Sequence, residues 1–251
     1  DADADTTITA DTDDQIDIRI AGADDFQFTA NTFTALSGST VAIASGATIA
    51  NSGTATGFAD LTAVADGSVG SPSIANSGDT NTGIYWPGAD QLGLTTAGAA
   101  GLLIDATGAV TMPLQPAFLA KSGSNVANVT GDGTVYTGVF GSERFDQNAD
   151  FSTSTFTAPV TGRYYLHAYI YSYDMATDMT TWNVNLVTSN STYAGTRYVS
   201  TTFDPSEYAA FSGLLVDMDA SDTATITFQV SGGSLAVEFA SNSHFGGWLV
   251  A

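Results

Sequence analysis

From Arg163 to Tyr173 apolar and aromatic positions alternate without a break. In an extended chain Tyr164, Leu166, Ala168 and Ile170 fall on one side, and Tyr165, His167, Tyr169 and Tyr171 on the other. A period of two predicts a strand, and bulky side chains on both sides predict cover on both: a sandwich core under one face and a further partner over the other. The preceding Pro159-Val-Thr-Gly162 is a turn signal, because proline fixes φ and glycine supplies freedom. Strand patterns recur at intervals of about ten residues through the second half of the chain. They cover Ala117–Lys121, Thr134–Phe140, Phe151–Thr157, Arg163–Tyr173, Thr181–Val187, Thr196–Thr202, Ala209–Met218, Ala224–Val230, Leu235–Phe239 and Phe245–Val250. Short strands joined by turns, with no helical period, predict an all-β sandwich of the jelly-roll kind.

Upstream the pattern is thinner. Residues 1–57 hold short β pieces, Gln15–Ile20, Phe26–Phe33 and Ser39–Gly53, with alternation at Ile16, Ile18, Ile20 and at Val41, Ile43. None can bury a core by itself, so they predict a slender shaft that gains burial by intertwining with other chains. Residues 58–112 change texture: turn signals at Ser77-Gly78-Asp79, Pro87-Gly88 and Thr107-Gly108 separate short apolar strands. Pro113 and Pro116 mark a boundary. Three segments result: a shaft or attachment segment (1–57), a β module (58–112) and a jelly-roll head (113–251).

Charge narrows the partners. The formal charge is -21, from 26 acidic residues against 5 basic ones, Arg19, Lys121, Arg144, Arg163 and Arg197. Such a surface repels phosphate backbones and anionic lipid, which argues against nucleic acid as a partner. Polarity comes instead from Ser, Thr, Asn and Gly, a mixture that favours strands and turns. With no cysteine, disulfides and thiolate metal sites are excluded. No apolar run is long enough to cross a bilayer as a helix, so no membrane insertion is expected. The chain opens on Asp rather than Met, as a processed chain would.

Catalytic motifs are absent: there is no Gly-x-Ser-x-Gly elbow, His-Glu-x-x-His pair or phosphate-binding glycine loop, and no enzyme is expected. Paired carboxylates suit glycoside hydrolysis, but among so many acids some pair meets any separation. The two histidines, His167 and His244, lie on different strands and lack a nucleophile; His167, among tyrosines, reads as an interface residue. The acidic runs Asp1–Asp5 and Asp11–Asp14 lack the glycine and glutamate of a calcium loop and read as solvated. Asp217, Asp219 and Asp222, in a turn between strands, are the candidate calcium ligands, and no other cofactor is implied. Asn128-Val-Thr130 and Asn190-Ser-Thr192 match glycosylation sequons, which bear on function only in a secreted eukaryotic protein.

Two resemblances add to this reading. Gly78-Asp-Thr-Asn-Thr-Gly-Ile-Tyr85, with Ile104-Asp105-Ala-Thr-Gly108-Ala-Val110 after it, resembles a module recurrent in bacteriophage tail-fibre and appendage proteins. The last 130 residues or so, with Phe145-Asp146, Phe156, Gly162, Tyr164 and the closing Ser243, Phe245, Gly247, Trp248, Leu249, resemble the trimeric jelly-roll head of complement's first component, related to tumour necrosis factor. Leu166 and Ala168 stand where that family usually has aromatics, and the gap from Phe151 to Phe156 is short. The resemblances imply a homotrimeric virion fibre exposed on the phage surface. Its N-terminal region would hold other virion proteins and its head a host-surface glycan or protein. They imply a trimer interface of Tyr165, His167, Tyr169 and Tyr171. Asn190, Tyr193 and Tyr208 are the receptor-facing candidates, in the loops Asp174–Thr181, Ser189–Gly195 and Asp204–Tyr208. Alternatives are a capsid or tail decoration protein that recognises no receptor, and a secreted lectin or ligand with a complement-like head.

Overall fold

The computed structural model describes residues 6–10, 16–20, 23–29, 32–42, 44, 64–199 and 207–251. Much of the Ser39–Gly53 expectation lies outside them. The chain divides into two compact units, Asp1–Ala63 and Val64–Ala251. All regular structure among the described residues is β.

In the first unit β1 (Thr7–Ala10), β2 (Ile16–Ile20), β3 (Ala23–Thr29) and β4 (Thr32–Ala35) form one antiparallel sheet in chain order. The stretch Phe26–Phe33, expected as one piece, is two strands of a hairpin, with Phe28 paired to Phe33. Their rings lie 4.8 Å apart.

The second unit opens with a five-stranded antiparallel sheet, also in chain order: β5 (Ile74–Asn76), β6 (Asp79–Tyr85), β7 (Leu92–Thr96), β8 (Ala99–Ile104) and β9 (Val110–Thr111). Asp105 builds its last turn, its Oδ1 accepting from Thr107 N (2.8 Å), Thr107 Oγ1 (2.7 Å) and Ala109 N (3.0 Å). One face is closed by the chain that precedes it: Thr95 Oγ1 donates to Val69 O at 2.8 Å, and Tyr85 and Thr95 are buried.

The remainder is a two-layer sandwich. Its strands are β10 (Ala117–Lys121), β11 (Val126–Thr130), β12 (Val135–Thr137), β13 (Ser142–Asp146), β14 (Phe151–Ser152), β15 (Thr155–Thr157), β16 (Gly162–Tyr173), β17 (Thr181–Thr188), β18 (Thr192–Val199), β19 (Tyr208–Met218), β20 (Thr223–Ser231), β21 (Val237–Phe239) and β22 (His244–Leu249). One sheet runs β13-β10-β22-β16-β19, with β21 and β11 continuing beyond β22 along the far end of β16. The other runs β14-β15-β20-β17-β18, with β12 beside β15 on β20. The chain crosses between sheets after β11, β12, β13, β15, β16, β18, β19 and β20, which is the Greek-key order of a jelly roll.

The alternation of β16 explains the core. Tyr164, Leu166, Ala168 and Ile170 are buried between the sheets and meet Trp182, Val184, Ile226 and Phe228 of the opposite layer. Trp182 Nε1 finds its acceptor in Ser172 Oγ at 3.0 Å, so its polar atom is satisfied inside the core. Phe118 stacks between Phe151 and Phe156, each at 4.8 Å, with Phe245 edge-on at 5.0 Å.

Strand directions define two ends. The chain enters at Ala117, which pairs with Trp248; β16 begins and β19 ends at this same end, where Gly162 pairs with Met218. Loops 158–161, 189–191 and 219–222 therefore gather at the base, and loops 174–180 and 232–236 at the opposite, distal end. The connector 112–116 is tied down at the base by side-chain amides. Gln147 Nε2 donates to Met112 O (2.8 Å) and Gln115 O (2.9 Å), Asn148 Nδ2 to Leu114 O (2.9 Å), and Gln115 Nε2 to Leu249 O (3.1 Å).

Phe118→Ala is expected to lower head stability by about 3–5 kcal/mol, because it empties the site that three other rings pack around. Denaturant unfolding followed by tryptophan fluorescence measures this, and a loss under about 1 kcal/mol would show that the ring stack is not central to the fold.

Candidate functional site

The residues that alternate away from the core form a ring-lined outer surface of the head. Tyr165, His167, Tyr169, Tyr171 and Tyr173 project from β16 and are all half-buried. Pairing with β22 sets His244 opposite Tyr169 and Gly246 opposite His167, and pairing of β22 with β10 sets Lys121 opposite His244. The rings make one continuous chain along the face. Trp248 lies 4.8 Å from Tyr165, His167 6.2 Å from His244, His244 5.3 Å from Tyr169 and stacked on it, and Tyr171 5.0 Å from Tyr173.

Two glycines make room for it. A Cβ on Gly213 would stand 2.3 Å from Tyr165 Oη, and one on Gly246 2.9 Å from His167 Nε2, so the rings lie down over bare backbone. Apolar surface remains open at the margins: Trp248 is 45% and Leu215 51% exposed. At the distal end Tyr171 donates to the Glu207 carboxylate, which pushes its phenol up to about 12, with burial adding to the effect. Burial, and secondly the neighbouring His244, hold His167 below its ordinary value of 6.5.

The sequence named four of these residues and missed Trp248, Lys121, Tyr173 and Leu215. A signal existed for Lys121, since Phe118 and Ala120 point inward in the alternation and Lys121 must point out. For Trp248 the signal needed the partner strand, because only the β16–β22 register puts it beside Tyr165.

The other candidates do not converge. Asn190 is at the base, where its amide donates to the Asp222 carboxylate. Ser189 Oγ donates to Asp222 Oδ1 at 2.7 Å and Asp219 N to Asp222 Oδ2 at 2.8 Å. These donors, Ser189 first, hold Asp222 below the usual carboxylate range. Asp222 is therefore a latch between two base loops, with Thr161 tied in through Ala220 N at 3.1 Å. Asp217 sits on β19 opposite Arg163. Among the described residues no group of three His, Asp or Glu side chains is arranged to hold a metal ion, so Asp217, Asp219 and Asp222 are not brought together as a calcium set.

Tyr193 lines a cleft of about 200 Å³ between β18 and β19, with Leu186 and Leu214. Tyr208 is at the distal end, edge-on to Tyr198 at 4.7 Å and tilted on Trp182 at 5.5 Å. Of the three loops expected to be distal, the Ser189–Gly195 stretch is instead at the base and runs into β18, and residues 204–206 lie outside the described ones. The 174–180 loop is distal. It is anchored by buried Met175 and Met179 and leaves Thr177 and Asp178 exposed.

No protein-family model matches the sequence. No curated protein matches it either. Among solved structures, the chain is similar to the globular domain of zebrafish complement 1qA protein, at 16% identity and a TM-score of 0.41 over 55% of this chain and 98% of that one. It is also similar to murine APRIL (10% identity, TM-score 0.40, 54% of this chain and 99% of that one) and to the Eiger TNF of S. frugiperda (15%, 0.37, 55% and 93%).

The direction of the His167 shift fixes a pH dependence. A base held low in the fold is neutral there, while the unfolded chain takes up the proton first. Its contribution is thus complete above 6.5 and is lost as pH falls from there through the folded value. Between about pH 7.5 and pH 5.5 the native chain is expected to lose more stability than His167→Phe. Equal losses in urea titrations of the two would show that other groups set the acid sensitivity.

Proposed function

We propose that the protein is a virion structural protein of a bacteriophage. In this reading it is a homotrimeric fibre: residues 1–57 are the shaft or attachment segment, residues 58–112 the β module, and residues 113–251 a head that binds a host-surface glycan or protein. The observation that carries the reading is the outer face of β16, β22 and β10. A ring chain of this length, half-buried along β16 and open at Trp248 and Leu215, is an interaction surface in need of a partner.

Charge favours a copy of the chain as that partner. On a molecule of net charge -21 this face carries Lys121 beside His244 near its centre, pairs Arg163 with Asp217 at the base, and has Glu207 and Glu238 only at its distal margin, beside Tyr171 and Tyr173, so two acidic copies can meet over its centre with little like-charge repulsion. The resemblance to trimeric complement-like heads supplies the number three. Tyrosine suits the role, with apolar area and a hydroxyl on a side chain of only two torsions.

Receptor binding then belongs to the distal end, away from the connector. The 174–180 loop is preorganised by its two methionine anchors, and Tyr208 adds an aromatic ring next to it on the sheet. Asn190, engaged with Asp222 at the base, is left out of the receptor surface.

Tyr169→Asp puts a carboxylate in the centre of the face and is expected to convert the trimer to monomers in sedimentation, with the far-UV spectrum unchanged. A trimer that survives the substitution removes this face as the interface. Purified protein is expected to adsorb to host cells and to compete with infection; a stable trimer that does neither is a decoration protein.

A further inference from the structure

Outside the head, two sheets each carry one apolar face with no second layer of strands over it among the described residues. In the sheet β5–β9, pairing lines up Ile74, Ile84, Leu94 and Leu102 in a row across four strands. Leu92, Ile104 and Val110 form the next row. Antiparallel partners project to the same side, so the two rows make one continuous aliphatic face. Ile74 is 49%, Leu94 41% and Val110 56% exposed, and neither row holds an ionisable side chain. The opposite face is the one closed by the preceding chain: Thr95 bonds to Val69 O, and Trp86 N donates to Asp66 O at 2.9 Å. Among the described residues the stretch 64–73 therefore leaves the aliphatic face uncovered. The first unit repeats the arrangement, with Ile8, Ile18 and Phe26 in one row and Ile16, Phe28 and Phe33 in the next.

We propose that the Ile74–Leu102 face is a second self-association surface, on which copies of this chain pack aliphatic face against aliphatic face. The inference rests on the self-associating head proposed above, which brings the copies together and sets their number. A copy is the occupant for three reasons. A basic partner would be drawn to the carboxylates that give the chain its charge of -21, not to rows that carry none. A copy brings the same uncharged rows at the same distance from its own head. And the amide ties of Gln115, Gln147 and Asn148 fix the connector to the head base. Association of the heads thus holds these sheets near one another at high effective concentration.

The chain has no cysteine, so a single introduced thiol reports on one place. Leu94→Cys and, as control, Ala106→Cys in the exposed β8–β9 turn are compared in the full chain for reaction with a polyethylene-glycol maleimide, alongside sedimentation. In an oligomeric chain Cys at 94 is expected to react at least about tenfold more slowly than at 106, and equally fast in urea. Equal native rates in a chain that sediments as an oligomer overturn this inference and leave the head interface standing. Equal rates in a monomer overturn both. Slow reaction in a monomer also overturns it, because the cover then comes from the same chain. Leu94→Asp, judged folded by its near-ultraviolet spectrum, is expected to raise the concentration needed for assembly about tenfold, and no change counts against the proposal.

Discussion

The head depends on the division of labour along β16. One set of alternating side chains is sealed between the sheets, and the other cannot be, because a strand offers its second face to whatever lies beyond the sheet. Burying Tyr164, Leu166, Ala168 and Ile170 fixes the register of β16 against β19 and β22, and that register in turn lines up Tyr165 with Trp248 and Tyr169 with His244. A slip of one residue would exchange the two sets, putting His167 in the core and Ile170 outside. Core packing thus dictates the outer ring chain as strictly as it dictates the interior.

What the sequence made legible follows the same logic. Where alternation was long and apolar, the strand was readable: Ala117–Lys121 matches β10 residue for residue, and Arg163–Tyr173 misses β16 only by Gly162. Where strands lie at edges the pattern failed. β18 was expected at Thr196–Thr202 but begins at Thr192: Thr192, Ala194 and Gly195 are small residues that leave Tyr193 as the only ring of the stretch, on a largely exposed strand that has β17 on one side only. β13, Ser-Glu-Arg-Phe-Asp, carries charges that read as loop. Phe151–Thr157 is a hairpin rather than one strand, turned at Thr153 with φ of 54°, a conformation threonine seldom adopts and the sequence does not announce.

The surface features were readable only as far as they depended on a single strand. The four outward residues of β16 could be named from alternation alone. Trp248, Lys121 and the meeting of the two histidines required strand order, which is non-local. The same holds for Asn190 and Asp222: thirty-two residues apart, they are joined by a hydrogen bond at the base, a latch between two loops that no single-strand pattern announces.

The amide ties at the base have a mechanical consequence. A connector flanked by Pro113 and Pro116 would ordinarily act as a swivel, yet four side-chain hydrogen bonds and the main-chain pairing of Leu249 N to Pro116 O hold it along the sandwich. Tension on the distal loops therefore reaches residue 112 through β22 and the β13–β14 loop in parallel, as shear across several bonds loaded together rather than as peeling of one bond at a time. Bending stiffness at this joint is set by glutamine and asparagine, side chains whose bonds persist across the pH range in which carboxylates and histidines titrate.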